Sequence, residues 1–516
     1  MLKHILSKRL AAVALAGLTA IAAPVAPSAE AQTRDMVMAA PRDLAPGSED
    51  AYYVSSILYV WEPLVQFGPD GGPAPHLLSS WEMSEDATTW TFTLRDGVTW
   101  HNGDALVAEH VVGTFERIIL VSPKRSPFYS MHIDRAYPGL VSIEAVDDLT
   151  FTMEFDSPRP TLPYQMVNFS SAIFHPDNFD EEGNFNDLVI GTGPFRLVSH
   201  VPDEELVLER FDDYWGEPAQ TKRVVVRTIP DADTRAAALR AEEIVGVMDL
   251  GAMPPEQAAN LSEDERFALD SHTSSISHFM HVAGAEGPLS DVRLRRAISM
   301  AIDREAIVEL YRGFSTATAN FLNVTNPFYI DIPIEYDPEA AAALAAEVLG
   351  DERLEARFII PSWGVARYPY RAQAELIQFM LQPIGIDASI ELLDGAAFNE
   401  ARTSGNYHLS LSTLGLPNAD PITVFRDYFV PDGSMAVRNS IGYQNPEMTA
   451  LLEAALEERD LDLRAEIYAD IQRLAATELP TIPLMNDTTV IVHHVDVVGY
   501  EQTIYGGTLN TAAWAE

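Results

Sequence analysis

The amino-acid sequence predicts an α/β protein built from two or three lobes. A chain of 516 residues is too long for one compact core, and its hydrophobic content of 47% is enough to bury several cores. Alternating apolar residues predict mostly strands before about residue 270, and amphipathic helices alternate with strands after it. No low-complexity linker divides the chain, so we expect the lobes to be joined by strands that cross between them.

The first 31 residues are typical of a secretory signal peptide. They contain three basic residues, Lys3, Lys8 and Arg9, then an apolar run over 10–23. They end in Ala29-Glu30-Ala31, which has the small-x-small form of a peptidase site. A single membrane anchor is the alternative, but the apolar run is short for a spanning helix. We predict cleavage after Ala31 and a soluble protein in the periplasm.

Cysteine is absent from the sequence. This excludes disulfides, thiol nucleophiles, thiolate metal sites and a lipidated cysteine, so we do not expect a lipoprotein. The formal net charge is −42, and removal of the signal peptide makes it two charges more negative. An acidic surface with few lysines is typical of salty surroundings, where counterions screen self-repulsion. Nucleic acid and anionic membranes are not expected as partners.

Strands are predicted from alternation in the early region. Trp90–Leu94 alternates, a turn follows, and Val98–Trp100 is predicted to resume the strand. Asp104 is predicted to start a helical stretch that continues through Ile118. Further strands are predicted over 149–155, 195–198, 205–210 and 223–229.

The later region has helix signals. Asp291 and Asp303 are predicted to cap the N-termini of two successive helices. Further helices are predicted over 371–381, 448–458 and 463–478. Strands are predicted over 357–361 and 388–392, and extended chain over 480–484 and 489–492.

Short blocks with distinctive residues follow one another along the chain. They are Trp61-Glu62-Pro63-Leu64, 78–86, 90–98, His101-Asn102-Gly103-Asp104, Gly191-Thr192-Gly193-Pro194-Phe195, Tyr214-Trp215-Gly216, 294–304 and 480–484. In this order they resemble the family-5 extracytoplasmic solute-binding proteins of ABC importers, the peptide and nickel group. The resemblance covers essentially the whole mature chain. Glycines 97, 103, 191 and 193 fit turns that need positive φ or a close approach, and Trp81, Trp90 and Trp215 are expected to be packing residues.

The resemblance implies a bilobal periplasmic-binding-protein (Venus-flytrap) fold with an extra subdomain on the first lobe. The implied domains are the signal peptide 1–31, a discontinuous lobe I over 32–72, 190–275 and 487–516, its grafted subdomain 73–189, and lobe II over 276–486. Two strands are expected to cross between the lobes near 271–282 and 485–492. Ligand enclosed between the lobes favours the closed form, which the importer recognises.

The resemblance also implies the function and partners. We expect a periplasmic component that captures a small polar, peptide-like solute and delivers it to the ABC permease and ATPase at the inner membrane. A monomer without a cofactor or metal is expected. The alternatives are a protein that binds a metal chelate such as nickel and a sensor that uses the same fold without transport.

Candidate ligand contacts lie in loops that line the cleft in this family. Peptide-binding members hold the ligand's amino group with an acid in the loop corresponding to 414–421, but the usual position is Pro417 here, and Asp420 is displaced from it. Lys124 and Arg125 fall about where nickel-binding members carry a pocket arginine, or they are an exposed pair. The candidate set is Tyr52, Tyr53, Lys124, Arg125, Trp363, Asn418 and Asp420.

An enzyme is the main rival class, and the sequence disfavours it. Nucleophile-elbow, metalloprotease and phosphate-loop patterns are missing from the sequence. Histidines 272, 278 and 281 cluster, but His278 and His281 have opposite parity on a strand and should point to opposite faces. We therefore expect no catalytic residue and no metal site.

Overall fold

The computed structural model describes residues 34–69, 71–121, 133–415, 419–504 and 506–515. The predicted signal peptide lies outside the described residues, and so do the candidate site residues Lys124, Arg125 and Asn418. None of the helices in the described ranges is long and apolar enough to cross a membrane.

The described chain begins in the first lobe, with β1 (Met36–Ala40), α1 (Ala51–Leu58) and β2 (Val65–Phe67). β2 pairs with β3 (Pro73–Pro75), which lies at the predicted start of the subdomain. The inward face of α1 packs with β1 in an apolar core that also takes in Phe174 and Phe195. Tyr52 belongs to this core, whereas Tyr53, about 100° further around the helix, is only partly buried.

A separate four-stranded subdomain follows. Its elements are β4 (Leu78–Met83), β5 (Thr89–Leu94), α2 (Ala108–Val121), α3 (Ile133–Ala136), β6 (Leu140–Ala145), β7 (Thr150–Phe155) and α4 (Leu162–Gln165). The strands form an antiparallel sheet in the order β4-β5-β7-β6. Phe92 of β5 stacks on Phe151 of β7 with ring centroids 5.1 Å apart, and α2 closes the core.

Two local predictions in the subdomain are wrong. The stretch Val98–Trp100 does not form a strand, since only a single bridge joins Thr99 to Ala105. The helix begins at Ala108, not at Asp104. The reason is a turn in which Asn102 Nδ2 donates to the Asp104 carboxylate at 2.6 Å, while the Asp104 N–H donates to Asn102 Oδ1. The predicted strand over 149–155 is confirmed as β7.

The chain then returns to the first lobe. Its elements here are β8 (Phe195–Val201), β9 (Glu205–Arg210), β10 (Arg223–Thr228), α5 (Ala232–Arg240), β11 (Gly246–Val247), α6 (Pro255–Ser262) and β12 (Phe267–Val282). β1 lies parallel to both β10 and β11, while β8, β9 and β10 are antiparallel neighbours. The predicted strands over 195–198, 205–210 and 223–229 are confirmed.

The second lobe is an α/β unit. Its elements are α7 (Val292–Ala301), α8 (Arg304–Glu309), β13 (Ser315–Ala317), α9 (Pro338–Leu349), β14 (Leu354–Pro361), α10 (Ser362–Arg367), α11 (Tyr370–Leu381), β15 (Ile386–Leu393), α12 (Gly395–Thr403), β16 (Leu409–Gly415), α13 (Ile422–Phe429), α14 (Ser434–Arg438), α15 (Pro446–Glu457) and α16 (Leu461–Glu478). β14 is parallel to β15 and β16. The predicted caps are confirmed, because the Asp291 carboxylate accepts from the Arg293 N–H and that of Asp303 from the Ala306 N–H.

The last elements are β17 (Thr481–His494), β18 (Val497–Val498) and β19 (Ala513–Trp514). Within the described residues an 11-stranded sheet has the order β15-β14-β16-β12-β17-β11-β1-β10-β9-β8, with β13 also paired to β17. The long strands β12 and β17 pair with each other and have a register irregularity between Thr273 and Ser277. On one side of this point β17 pairs with β11 of the first lobe, and on the other β12 pairs with β16 of the second. The predicted crossing of two strands between the lobes is confirmed, while the exact domain bounds stay a prediction.

Three of the sequence blocks, those that contain Glu62, Gly191 with Gly193, and Tyr214 with Trp215, meet in space near the buried carboxylate of Glu62. Glu62 Oε1 accepts from Tyr214 OH at 2.6 Å and lies 2.8 Å from His76 Nε2, and Oε2 accepts from Trp215 Nε1 at 2.9 Å. Gly191 and Gly193 approach the carbonyls of residues 59 and 60 so closely that a Cβ would overlap them. The blocks therefore hold the first lobe and the start of the subdomain together.

Candidate solute-binding cleft

A cleft of about 1640 Å³ lies between the two lobes. Its first-lobe wall comes from the segments after β1, β10 and β11 and from α1. Its second-lobe wall comes from α8 and from α10 with the residues after it, and Ile276 of the crossing strand β12 also lines it. The polar and aromatic residues that line it include Arg42, Asp50, Tyr53, Asp231, Asp233, Arg235, Asp249, Glu256, Glu309, Arg312, Trp363, Arg367 and Tyr368.

The first-lobe wall is organised around Asp249, which is 5% exposed and has φ of +83°. Its Oδ2 accepts from Arg42 Nε at 2.9 Å, and its Oδ1 accepts from Tyr53 OH at 3.0 Å and from the Leu250 N–H at 2.8 Å. Arg42 also donates to Asp50 Oδ2 at 2.6 Å. Burial raises the pKa of Tyr53 well above its usual value, and the neighbouring Asp249 carboxylate adds to this shift. This network is pre-formed, and the charges of Arg42, Asp50 and Asp249 are already paired within it.

The second-lobe wall contains a guanidinium whose donors are not all satisfied, unlike the paired charges of the first-lobe network. Arg367, at the end of α10, has its Nε and Nη2 buried without a hydrogen-bond partner among the described residues. Burial by itself lowers the pKa of Arg367, but nearby Tyr368, Asp487, Tyr53 and Asp249 more than offset this and raise it. The guanidinium therefore stays charged while two of its donors lack acceptors, which is costly in a buried position.

Arg235 lines the same cleft, but its guanidinium donors have acceptors in the protein. Its guanidinium donates to the carbonyls of Ala252, Ile229 and Pro230 at 2.5–2.8 Å, so it holds the first-lobe backbone. Arg312 is exposed at the second-lobe rim. Of these cleft-lining cations in the described residues, Arg367 is the one whose buried guanidinium donors lack an acceptor.

The structure brings two of the sequence-predicted residues to the cleft. Tyr53 lines the first-lobe wall, and Trp363, a residue that is 43% exposed, lines the second-lobe wall. Trp363 also contacts Tyr370, with ring centroids 6.3 Å apart. Direct contact of either residue with a solute stays a prediction.

Two other candidates lie elsewhere. Tyr52 is 1% exposed, accepts a hydrogen bond from Arg117 Nη1 at 3.2 Å and packs edge-on against Phe174. Asp420 is 3% exposed and accepts hydrogen bonds from Thr161, Gln165 and Tyr468 instead of lining the cleft. Lys124, Arg125 and Asn418 lie outside the described residues.

The sequence did not reveal Arg42, Asp249 and Arg367 as cleft residues. Arg42 and Asp249 are 207 residues apart, so no local pattern indicates their pairing. A signal for the first-lobe wall was the sequence Asp249-Leu250-Gly251 directly after a short strand, since chain that follows a strand often lines a site. Arg367 could have been noticed because it follows the strand predicted over 357–361 closely and because the chain has few cations.

The histidines of β12 point to opposite faces as predicted. His278 packs against Tyr368 with ring centroids 4.6 Å apart, whereas His281 stacks near Tyr428 and its Nδ1 lies 2.9 Å from Thr481 Oγ1. Burial lowers the pKa of His281 well below its usual value. Across the described ranges, no group of three or more His, Cys, Asp or Glu residues is arranged to hold a metal ion.

A two-lobed α/β fold with two crossing strands and an interlobe cleft defines a binding protein of the periplasmic type. The family model described as bacterial extracellular solute-binding proteins, family 5 (middle), matches residues 72–436. The chain belongs to this family of solute-binding proteins, which confirms the predicted family and fold class.

Similar proteins include binding proteins of more than one specificity. The dipeptide-binding protein of Escherichia coli K12 is 28% identical over 459 residues, which cover 83% of each chain. Heme-binding protein A of Haemophilus influenzae is 27% identical over 487 residues, 89% of this chain and 87% of that one. The crystal structure of NikA from Brucella suis in complex with Fe(III)-EDTA has a TM-score of 0.81 at 22% identity, covering 93% of this chain and 100% of that chain, and so supports the fold.

Proposed function

We propose that this protein captures a small, peptide-like solute with a carboxylate in the interlobe cleft and delivers it to the permease and ATPase of an ABC importer. The observation that carries the proposal is the Arg367 guanidinium, charged and short of acceptors in the wall of that cleft. A solute carboxylate that enters between Arg367 and Gly251 would supply two acceptors in the planar geometry that a guanidinium prefers. The similarity to a dipeptide-binding protein supports a peptide-like solute.

The opposite wall and the rim suit a solute that also carries a positive group. Asp231, Asp233 and Glu256 line the first-lobe side, and Glu309 lies on the second-lobe side. The Asp249 carboxylate already accepts from Arg42, Tyr53 and Leu250, so its role is to hold this wall in place. A zwitterion would thus meet a cation on one lobe and acids around it, and would favour closure by touching both lobes.

A metal chelate is the second candidate, and the same arginine favours it. Chelating ligands carry carboxylates, and the structural neighbour NikA from Brucella suis holds Fe(III)-EDTA. Sensing without transport is a further use of the fold. The relatives are binding proteins, and we propose that this chain too binds its solute without turning it over.

We further propose export to the periplasm with cleavage after Ala31, no lipid anchor, and action as a monomer. The proposed division is the signal peptide 1–31, lobe I over 32–72, 190–275 and 487–516, the subdomain 73–189, and lobe II over 276–486. The discontinuity of the sheet at Thr273 to Ser277 supports a boundary there.

The test is a binding titration that compares unmodified dipeptides, N-acetylated dipeptides, C-amidated dipeptides and metal–EDTA complexes. Arg367→Gln should weaken binding about tenfold to a hundredfold, because one charge-assisted interaction is lost. Arg371→Gln, an exposed arginine of the same lobe outside the cleft lining, is the matched control and should bind as the wild type does. C-amidated dipeptides should bind the wild type about as weakly as unmodified dipeptides bind Arg367→Gln, because each change removes one partner of the same ion pair.

Each outcome decides a different part of the proposal. Binding of chelates but not dipeptides would overturn the peptide-like solute and leave the role of Arg367 intact. Unchanged binding by Arg367→Gln would overturn the carboxylate site. Release of a chemically altered solute would overturn binding without turnover.

A further inference from the structure

The carboxylate of Asp420 lies between the subdomain and the second lobe. Its Oδ2 accepts from Thr161 Oγ1 at 2.6 Å and from Gln165 Nε2 at 2.9 Å, both in the subdomain. Its Oδ1 accepts from Tyr468 OH at 2.8 Å and from the Ile422 N–H at 3.2 Å, both in the second lobe. One oxygen of a single buried carboxylate thus faces each body.

Other contacts follow the same boundary. The Ala419 N–H donates to the Tyr164 carbonyl at 3.0 Å, and the Tyr164 ring lies 5.3 Å from that of Phe328. At the surface, Arg459 Nη1 donates to the Glu85 carbonyl at 2.9 Å. The Asp420 contact, defined as the carboxylate with Thr161 and Gln165, is therefore the buried centre of a larger interface.

The subdomain is held to the first lobe by separate contacts. Glu62 and His76 join it to Tyr214 and Trp215, and Ile118 of α2 packs in the first-lobe core. The polypeptide crosses between first and second lobe through β12 and β17. If the lobes open about these strands, the subdomain moves with the first lobe and the Asp420 contact separates.

Opening would remove Thr161 and Gln165 from the Asp420 carboxylate, and water would have to replace these two donors. Hydrogen bonds to a charged group are stronger than neutral ones, and they gain strength away from water. The contact therefore favours the closed arrangement without any solute. A solute then needs to supply less of the free energy of closure.

We propose that Asp420 is a positioning residue: it binds the subdomain to the second lobe when the cleft is shut, and so slows solute release without touching the solute. The effect on solute release rests on the proposed function, whereas the effect on closure does not. Asp420 thus has a role other than the ligand contact that its place in the sequence predicts.

The test compares two variants of the full chain, each of which removes one hydrogen-bond donor to the Asp420 carboxylate. Thr161→Val removes a donor from the subdomain, and Tyr468→Phe removes a donor from within the second lobe. The sequence contains no cysteine, so spin labels can be attached to two introduced cysteines. We choose Val146→Cys in the subdomain and Phe379→Cys in the second lobe, because Val146 is 62% exposed and Phe379 is 72% exposed. The distance distribution without solute gives the ratio of closed to open molecules.

We expect Thr161→Val to lower the closed-to-open ratio about tenfold and Tyr468→Phe to leave that ratio unchanged while lowering the melting temperature. Gln165→Met provides a second subdomain variant. Its Oε1 is buried without a partner among the described residues, so this change costs the fold little while removing the second donor. It should lower the ratio as Thr161→Val does.

The proposal is overturned if the subdomain variants lower the melting temperature but leave the closed-to-open ratio of wild type, or if Tyr468→Phe shifts that ratio equally. A solute identified by the titrations should also dissociate about tenfold faster from Thr161→Val. A shift of the ratio without any change in solute release would retain the closure role and reject the role in release. Failure of every solute tested would count against the proposed function, since the distance measurement needs no solute.

Discussion

Arg367 of the second lobe lies against Gly251 of the first lobe, so close that a methyl group on Gly251 would stand 2.6 Å from Nε. The two residues belong to opposite walls of the cleft. Gly251 also has φ of +69°, a left-handed conformation in which a side chain is strained. The approach of this guanidinium to the first lobe thus depends on the absence of a side chain at residue 251.

Gly251→Ala should weaken solute binding about tenfold or more, because Arg367 must move from its position against the first lobe. Gly313→Ala is the matched control, since Gly313 has φ of +86° with no atom near the added methyl group. Both variants should lose about 1 kcal/mol of stability from backbone strain. Binding titration and urea denaturation measure the two effects, and equal affinities in the two variants would contradict the prediction.

Trp363 should report solute binding through its fluorescence. This residue lines the cleft and is 43% exposed, so an enclosed solute would change the surroundings of its ring. We expect a fluorescence change on binding in the wild type and in Trp81→Phe, whose ring lies in the subdomain. The change should be lost in Trp363→Phe. A full signal in that variant would show that another tryptophan responds.

The fold could largely be predicted from the sequence because its signals are local. Asp291 and Asp303 cap the helices they precede, and the alternation over Glu205–Arg210 matches β9. The strand predicted at Val98–Trp100 failed because turns lie on both sides of this stretch and leave it one bridge, between Thr99 and Ala105. Propensity is a weak guide where tertiary contacts define the ends of elements.

The site could be predicted only in part because its geometry is long-range. Tyr52 and Tyr53 are neighbours in sequence, but on α1 one side chain enters the core and the other meets Asp249. The pairing of Arg42 with Asp249 and the approach of Arg367 to Gly251 join segments far apart in the chain. Such contacts exist only once the sheet order is set.

Acidification should destabilise the protein through His101. Its Nδ1 accepts from the Gly191 N–H at 3.2 Å and its Nε2 donates to the Gly193 carbonyl at 2.9 Å, which suits the neutral ring. Burial lowers the pKa of His101 from its usual 6.5 to about 4. The unfolded chain therefore binds a proton in this range that the folded chain does not. The contribution of His101 to stability is complete above about pH 6.5 and is lost as the pH drops from there towards about 4.

His101→Gln should remove this contribution, because an amide can donate and accept at the same site without titrating. The free energy of unfolding, measured in urea at pH values from about 7.5 to about 4.5, should fall more steeply for wild type. The extra slope should approach about 1.4 kcal/mol per pH unit below pH 6.5. Carboxylates and other histidines contribute equally to both proteins and cancel in the difference. Parallel curves would show that His101 is not protonated on unfolding.

The Glu62 carboxylate should contribute strongly to stability because three donors converge on it. Burial alone raises the pKa of Glu62, but the hydrogen bonds from His76, Tyr214 and Trp215 more than offset this and lower it. In Glu62→Gln the amide nitrogen must face one of these donors, so a hydrogen bond is lost and two donors oppose each other.

We expect Glu62→Gln to lose about 2–3 kcal/mol of unfolding free energy in urea denaturation. Glu82→Gln, an exposed glutamate on β4, is the matched control and should stay within about 0.5 kcal/mol of the wild type. Because Tyr214 and Trp215 belong to the first lobe and His76 leads into the subdomain, hydrogen exchange should rise on both sides of Glu62 in the variant. Equal stabilities for the two variants would mean that the packing of Tyr214 and Trp215, not the carboxylate, holds these segments together.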